Sequence, residues 1–193
     1  MSCLGYIKFR GDLVVRLVCE NQMTFSMRDK YYQLILEKYQ HKESDFNGLF
    51  ETVLSTADEI SLEKALGCLE RCVIEKRLAW LDERLDKMER KGDVAGDGYR
   101  IFYEEYLGIS PPKDGEVVDK TDKKMVMRWW NYCPVLEGCK KFGLDTRVVC
   151  KKVYHKPVQI FLSRINPRLK FDRNYDSIRP YTPYCKEIIT LEE

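Results

Sequence analysis

The chain reads as an α+β protein, with a helical layer packed on an antiparallel sheet that occupies the C-terminal half. Three observations predict this. From Ser61 the sequence SLEKALGCLERCVIEKRLAWLDERLDKMERKG repeats apolar residues at helical spacing. After the breaker cluster Gly108-Ile-Ser-Pro-Pro-Lys-Asp-Gly115 the hydrophobic period changes from helical to alternating. Beyond that seam the elements read strand, strand, helix, helix, strand, strand, which fits about four antiparallel strands with two helices inserted. At 193 residues the chain has the length of one domain. We read 1–193 as a single unit, with 1–110 mainly a helical layer and 115–193 the sheet-containing, ligand- or metal-binding part.

Composition narrows the class. Hydrophobic residues make up 44% of the chain, enough to bury a core. Lys and Arg number 33 against 31 Asp and Glu, and a net charge of +2 supplies no electrostatic footprint for nucleic acid. No apolar run approaches the roughly 20 residues of a membrane span. The N-terminal run MSCLGYIKFRGDLVVRLVC has charges inside its apolar stretch and is a poor signal peptide. These features place the chain in the cytoplasm, without nucleic-acid or membrane partners. Its eight cysteines, at 3, 19, 68, 72, 133, 139, 150 and 185, are then reduced thiols rather than a disulfide framework.

In order along the chain, residues 5–19 form either a hairpin about Gly11-Asp12 or a short helix from Asp12. Ser26 caps a helix carrying Tyr31, Leu34, Ile35 and Tyr39. His41 is solvated, and Phe46 to Leu54 is a shorter apolar segment. The helix from Ser61 has a stripe of Leu62, Leu66, Leu69, Val73, Leu78, Leu81, Leu85 and Met88, and stops at Gly92. That stripe serves either the internal core or a homodimer. Cys68 and Cys72 lie on its buried side and read as packed thiols. Asp93 to Gly98 is a turn, and Tyr99 to Leu107 a short aromatic helix.

Past the seam, Glu116 to Lys120 and Lys124 to Tyr132 are strands joined by a turn at Thr121-Asp122. Alternation puts Met125, Met127 and Trp129 on one face and Val126, Arg128 and Trp130 on the other. Pro134 opens a helix that Gly143 ends. Asp145 or Thr146 caps the next, which Pro157 kinks or restarts before Asn166-Pro167 stops it. Arg168 to Tyr175 and Tyr184 to Leu191 complete the sheet across the turn SIRPYTP.

The candidate site centres on Cys133. It stands just before a helix N-terminus, where backbone N–H groups and the helix dipole favour an anion such as a thiolate. Cys150 and Cys185 complete a thiol set, with Glu137, Cys139 or His155 as a fourth member. Three thiolates and another ligand suit zinc, and four suit zinc or an iron–sulfur cluster. The spacing C-x5-C-x10-C-x34-C matches no compact metal motif, so plain buried thiols are the competing reading. Arg128, Trp129, Trp130 and Tyr132 before the site, with Arg179 and Tyr181 in the last turn, offer aromatic walls and a guanidinium to a planar or carboxylate-bearing small molecule, although strand alternation lets at most one of the two tryptophans face the pocket.

The run CPVLEGCKKFGLDTRVVCKKVYHKPVQIFLSRINPRLKF, followed by RPYTPYCKEIITL, resembles the L-2-amino-thiazoline-4-carboxylic acid hydrolase-like proteins and, more distantly, the vinyl-reductase-type ligand-binding domain. The likeness covers roughly residues 125–191. It consists of a Cys-Pro after a strand, a Gly-Leu-Asp turn, a later helical Cys, an Asn-Pro-Arg-Leu entry to a strand and a Pro-Tyr-Cys before the last strand. It implies a ligand pocket between sheet and helices, and it carries over only to Cys133, Cys150 and Cys185. The named hydrolase opens a thiazoline ring with water, whereas the more distant relatives are mostly sensors, some holding zinc through cysteines.

The expected function is therefore ligand binding or sensing at a cysteine-rich, metal-binding site. The alternative is a hydrolase of a small cyclic carboxylate, with Cys133 as nucleophile or metal ligand, Glu137 as general base and Arg128 or Arg179 as carboxylate anchor. An iron–sulfur protein is the third reading.

Overall fold

A computed structural model describes residues 61–193. The expectations for residues 5–19, Ser26 to Tyr39, His41 and Phe46 to Leu54, and the cysteines Cys3 and Cys19, lie outside the described residues.

The long helix α1 spans Leu62–Arg84 and buries Ala65, Leu66, Leu69, Cys72, Val73 and Leu81. Its stripe is spent inside the chain: α1 packs on α5 (Lys156–Ile165) and on the turn before it. Cys72 is buried in this core and Cys68 is packed half-buried against it. The helix ends earlier than its periodicity predicts. Leu85–Lys87 tightens into a 3-10 turn and Met88 is extended, well before Gly92. Between Asp86 and Lys91 the sequence offers only Met88 for burial, so packing gives no reason to continue the helix.

The segment read as a turn, Asp93 to Gly98, is instead the start of a helix. Asp93 caps it by accepting from the Gly96 amide at 2.9 Å, and α2 runs Val94–Tyr99 before widening into a π-helical stretch over Arg100–Tyr106. Gly98 is there for proximity. A Cβ on Gly98 would stand 3.0 Å from a Leu169 methyl, so the missing side chain is what lets α2 lie this close to the sheet.

Four strands form one antiparallel sheet in the order β1-β2-β4-β3. They are β1 Gly115–Thr121, β2 Lys124–Trp129, β3 Leu169–Arg173 and β4 Cys185–Leu191. The predicted α+β arrangement is the one observed. Strand β2 stops at Trp129 rather than Tyr132, because the amides of Trp130 and Asn131 both turn to the Asp114 carbonyl, at 2.9 and 3.0 Å. Gly115, paired with Trp129, leaves room for the Trp129 ring; a Cβ there would fall 2.4 Å from it.

Between the hairpin and β3 the chain is helical. Helix α3 (Pro134–Phe142) begins at Pro134, with Cys133 extended at its N-cap, the conformation a residue before proline prefers. Gly143 ends it in the left-handed region at φ 64°. Asp145, not Thr146, caps α4 (Thr146–Cys150), accepting from the Arg147 amide at 2.8 Å. A π-helical turn over Lys151–His155 leads into α5. Pro157 has no N–H to donate back into the preceding turn, and the wider turn accommodates it without a break in the rod.

One sheet face carries the core. Alternation directs Met125, Met127 and Trp129, then Leu169, Phe171 and Arg173, then Cys185, Glu187 and Ile189, toward α2 and α5, and all of them are buried. Among the described residues, no helix is long and apolar enough to cross a membrane.

Candidate functional site

At one end of that inward face the register departs from an apolar pattern. Trp129 pairs with Cys185, and Glu187 stands between Met127 and Arg173. Directly opposed residues on one face lie about 5 Å apart, so the register itself joins a carboxylate to a guanidinium inside the core. Arg173 and Glu187 form an ion pair and are 8% and 1% exposed. Glu187 also accepts from the Tyr103 hydroxyl and, at 3.4 Å, from Tyr154. Arg173 donates from its other terminal nitrogen to the Cys150 sulfur at 2.7 Å and lies over the Tyr154 ring at 4.2 Å. Both terminal nitrogens of Arg173 and the Glu187 carboxylate are thus met, which offsets much of the pair's desolvation cost, while the buried Arg173 Nε has no hydrogen-bond partner among the described residues.

This network forms one wall of a cavity of about 460 Å³. The sheet end contributes Trp129, Cys185 and Glu187, and α1 contributes Val73 and Arg77. The π-helical stretches supply aromatic sides: Tyr103 and Tyr106 from one, Tyr154 from the other. Tyr103 stacks on Trp129 with ring centroids 4.8 Å apart. Helix α3 closes the space with Cys133, Pro134, Val135 and Leu136, and the last turn adds Ile178 and Arg179.

Cys133, Cys150 and Cys185 all line this cavity. Cys133 is the half-buried one, at the N-terminus of α3. Burial pushes the Cys150 thiol up to about 11, outweighing the opposite pull of Arg173, so at neutral pH it is protonated. Arg179 lines the cavity and donates to the Asn131 carbonyl at 2.7 Å, and Tyr132 lies at the rim, 66% exposed.

The other predicted members lie elsewhere. Glu137 is exposed and pairs with Lys140 at 2.9 Å. Arg128 is on the opposite sheet face, paired with Glu116 at 3.0 Å and set over Tyr184. Trp130 is 42% exposed and donates to the Lys113 carbonyl; of the two tryptophans it is Trp129 that meets the cavity. The Tyr181 hydroxyl donates to Asp145 on the surface. Cys139 is buried off the cavity, its thiol pushed up to about 12 by burial. His155 ends the π turn, its Nδ1 3.0 Å from the Tyr175 hydroxyl.

The donor set fits a metal poorly. Among the described residues, no three Cys, His, Asp or Glu side chains are grouped so as to hold one. The partner nearest Cys150 is a guanidinium, which has no lone pair and puts positive charge where a cation would sit.

Arg77, Arg173 and Glu187 are site residues that the sequence reading does not pick out, although a signal is present. Glu187 and Arg173 are charges at inward-facing positions of alternating strands, and Arg77 stands between Val73 and Leu81 on the apolar stripe of α1. Compared with protein-family models, with curated proteins and with solved structures, the chain matches none.

Proposed function

We propose that this protein binds a small organic molecule between its sheet and helices, as a ligand-binding or sensing protein. The observation that carries this reading is the cavity of about 460 Å³, within the range of about 300–1,000 Å³ typical of small-molecule sites, with three thiols and buried charged groups on its wall. A void left by imperfect packing would be apolar and dry. This one is lined by Arg77, Arg173 and Glu187, which take their positions at a cost in desolvation. A cytoplasmic setting agrees with the six cysteines of the described residues, none of which is in a disulfide.

Two other occupants of the same space follow from the cysteines. A hydrolase reading rests on Cys133, a half-buried thiol at a helix N-terminus facing the cavity. With Glu137 paired on the surface, its general base would have to come from the cavity wall or from solvent. A zinc on Cys133, Cys150 and Cys185 requires the Arg173 guanidinium to leave Cys150.

A thermal-shift screen of small organic acids, amines and neutral heterocycles tests the main reading, with iodoacetamide labelling of Cys133 as the site readout. Compounds that raise the melting temperature should slow labelling of Cys133. A screen in which stabilising compounds leave that rate untouched, or in which none stabilises, overturns it. Stoichiometric zinc that is lost in Cys133→Ser would favour the metal reading instead.

A further inference from the structure

The cavity wall is unbalanced in charge. Among the described residues, Lys76, Arg77, Arg173 and Arg179 line it against a single carboxylate, Glu187. Glu187 is already committed to Arg173. Lys76 is exposed at the edge, whereas Arg77 is 5% exposed and reaches in from the middle of α1. Its Nε and Nη1 find no hydrogen-bond acceptor, and no carboxylate pairs with it, among the described residues. What surrounds it is aromatic: its guanidinium carbon lies 5.1 Å from the Phe102 ring centroid, 5.2 Å from Tyr154 and 5.9 Å from Tyr106. Ring faces hold a guanidinium in place and offset part of its desolvation, but they accept none of its in-plane N–H bonds.

We infer that Arg77 is the receptor for the oxyanion head of an amphipathic organic anion, whose apolar body occupies the rest of the cavity. The inference rests on the ligand-binding reading and names the class of ligand. The planar fork of Arg77 suits a carboxylate or a phosphate, each of which accepts two parallel N–H bonds. The body lies between the Trp129 ring and the aliphatic side chains of Val135, Leu136 and Ile178, all on the cavity wall. Arg77 belongs to α1, so the anion would tie the long helix to the sheet end through the ligand.

Two fluorescent probes test this on the full chain: anilinonaphthalene sulfonate, an amphipathic anion, and phenylnaphthylamine, the same rings without the sulfonate. The sulfonate should bind about tenfold or more tighter than the uncharged probe, the gain of a charge-assisted hydrogen-bond pair in a water-poor site. Arg77→Met should remove that preference while leaving binding of the neutral probe within about twofold. Arg77→Lys should keep a preference, and serves as the measurement if the methionine variant fails to fold. Octanoate and octyl phosphate should displace the sulfonate probe better than octanol does; the stronger of the two identifies the head group. Equal binding of the two probes, or an unchanged preference in Arg77→Met, or displacement by octanol as readily as by the anions, overturns the inference. Failure of both probes and all three competitors to bind would instead count against the ligand-binding reading beneath it.

Discussion

The two ends of one sheet face follow the same alternation and have opposite chemistry. At one end Met125, Leu169, Phe171 and Ile189 close on α2 and α5, each at most 4% exposed, with no charge among them. At the other end the same alternation places Cys185, Glu187 and Arg173 inside, and packing gives way to a cavity. The backbone register is continuous across both. The difference therefore lies in the side chains, and it teaches that the void is a built feature of this face. A sheet that only needed a core would have continued the apolar pattern.

The comparison can be broken most forcefully at Glu187. Glu187→Ala leaves Arg173 buried without its carboxylate and should cost about 3–5 kcal/mol, read as a shift in urea or thermal midpoint. A loss below about 1 kcal/mol would mean that the polar end is wet and loosely held. A matched pair sharpens the contrast. Leu169→Ala at the dry end opens a new cavity and should cost toward the upper part of about 2–5 kcal/mol, whereas Leu136→Ala merely enlarges an existing one and should cost nearer the bare transfer term of about 2 kcal/mol. Equal losses would remove the distinction between the two ends.

The smallest effect lies at the border, where the His155 ring stands 5.4 Å from Phe171 and 5.7 Å from Tyr175. Burial holds its pKa below the usual histidine value of about 6.5, against the pull of Asp172 and with the added push of Arg173 and Lys151. The folded state thus binds this proton less readily than the unfolded chain. Stability is full above the unfolded pKa and falls as pH drops through it toward the folded value. Between about pH 7.5 and 5.5 the wild-type melting temperature should decline more than that of His155→Phe. Parallel profiles would show that the ring stays solvated.

Much of the frame was legible before the structure. The helix from Ser61, the hairpin, the Cys133-Pro134 entry to α3 and the last two strands all follow from periodicity and from proline and glycine placement. What escaped were features set by neighbours distant in sequence. The Asp93 to Gly98 stretch looks like a turn because glycine weakens a helix, yet within one Gly98 leaves room for Leu169 and Leu162 and Gly96 for the capping Asp93 side chain. Helix geometry puts Glu137 on the same side as Cys133 only approximately, and solvent with Lys140 is where it settles. Two tryptophans in succession guarantee opposite faces, but not which of them faces inward.

The sequence by itself determined the α+β class and the strand parities, because local spacing dictates which side of an element a residue occupies. It also carried, unread, three charges at inward positions: Arg77, Arg173 and Glu187. Only the tertiary structure decided that Arg173 and Glu187 would meet across β3 and β4, that Cys150 would accept from the guanidinium, and that Arg77 would be enclosed by aromatic rings with no carboxylate partner among the described residues. Parity fixes direction along one element. Pairing and enclosure depend on strand order and on the gap between layers, which no single stretch of chain contains.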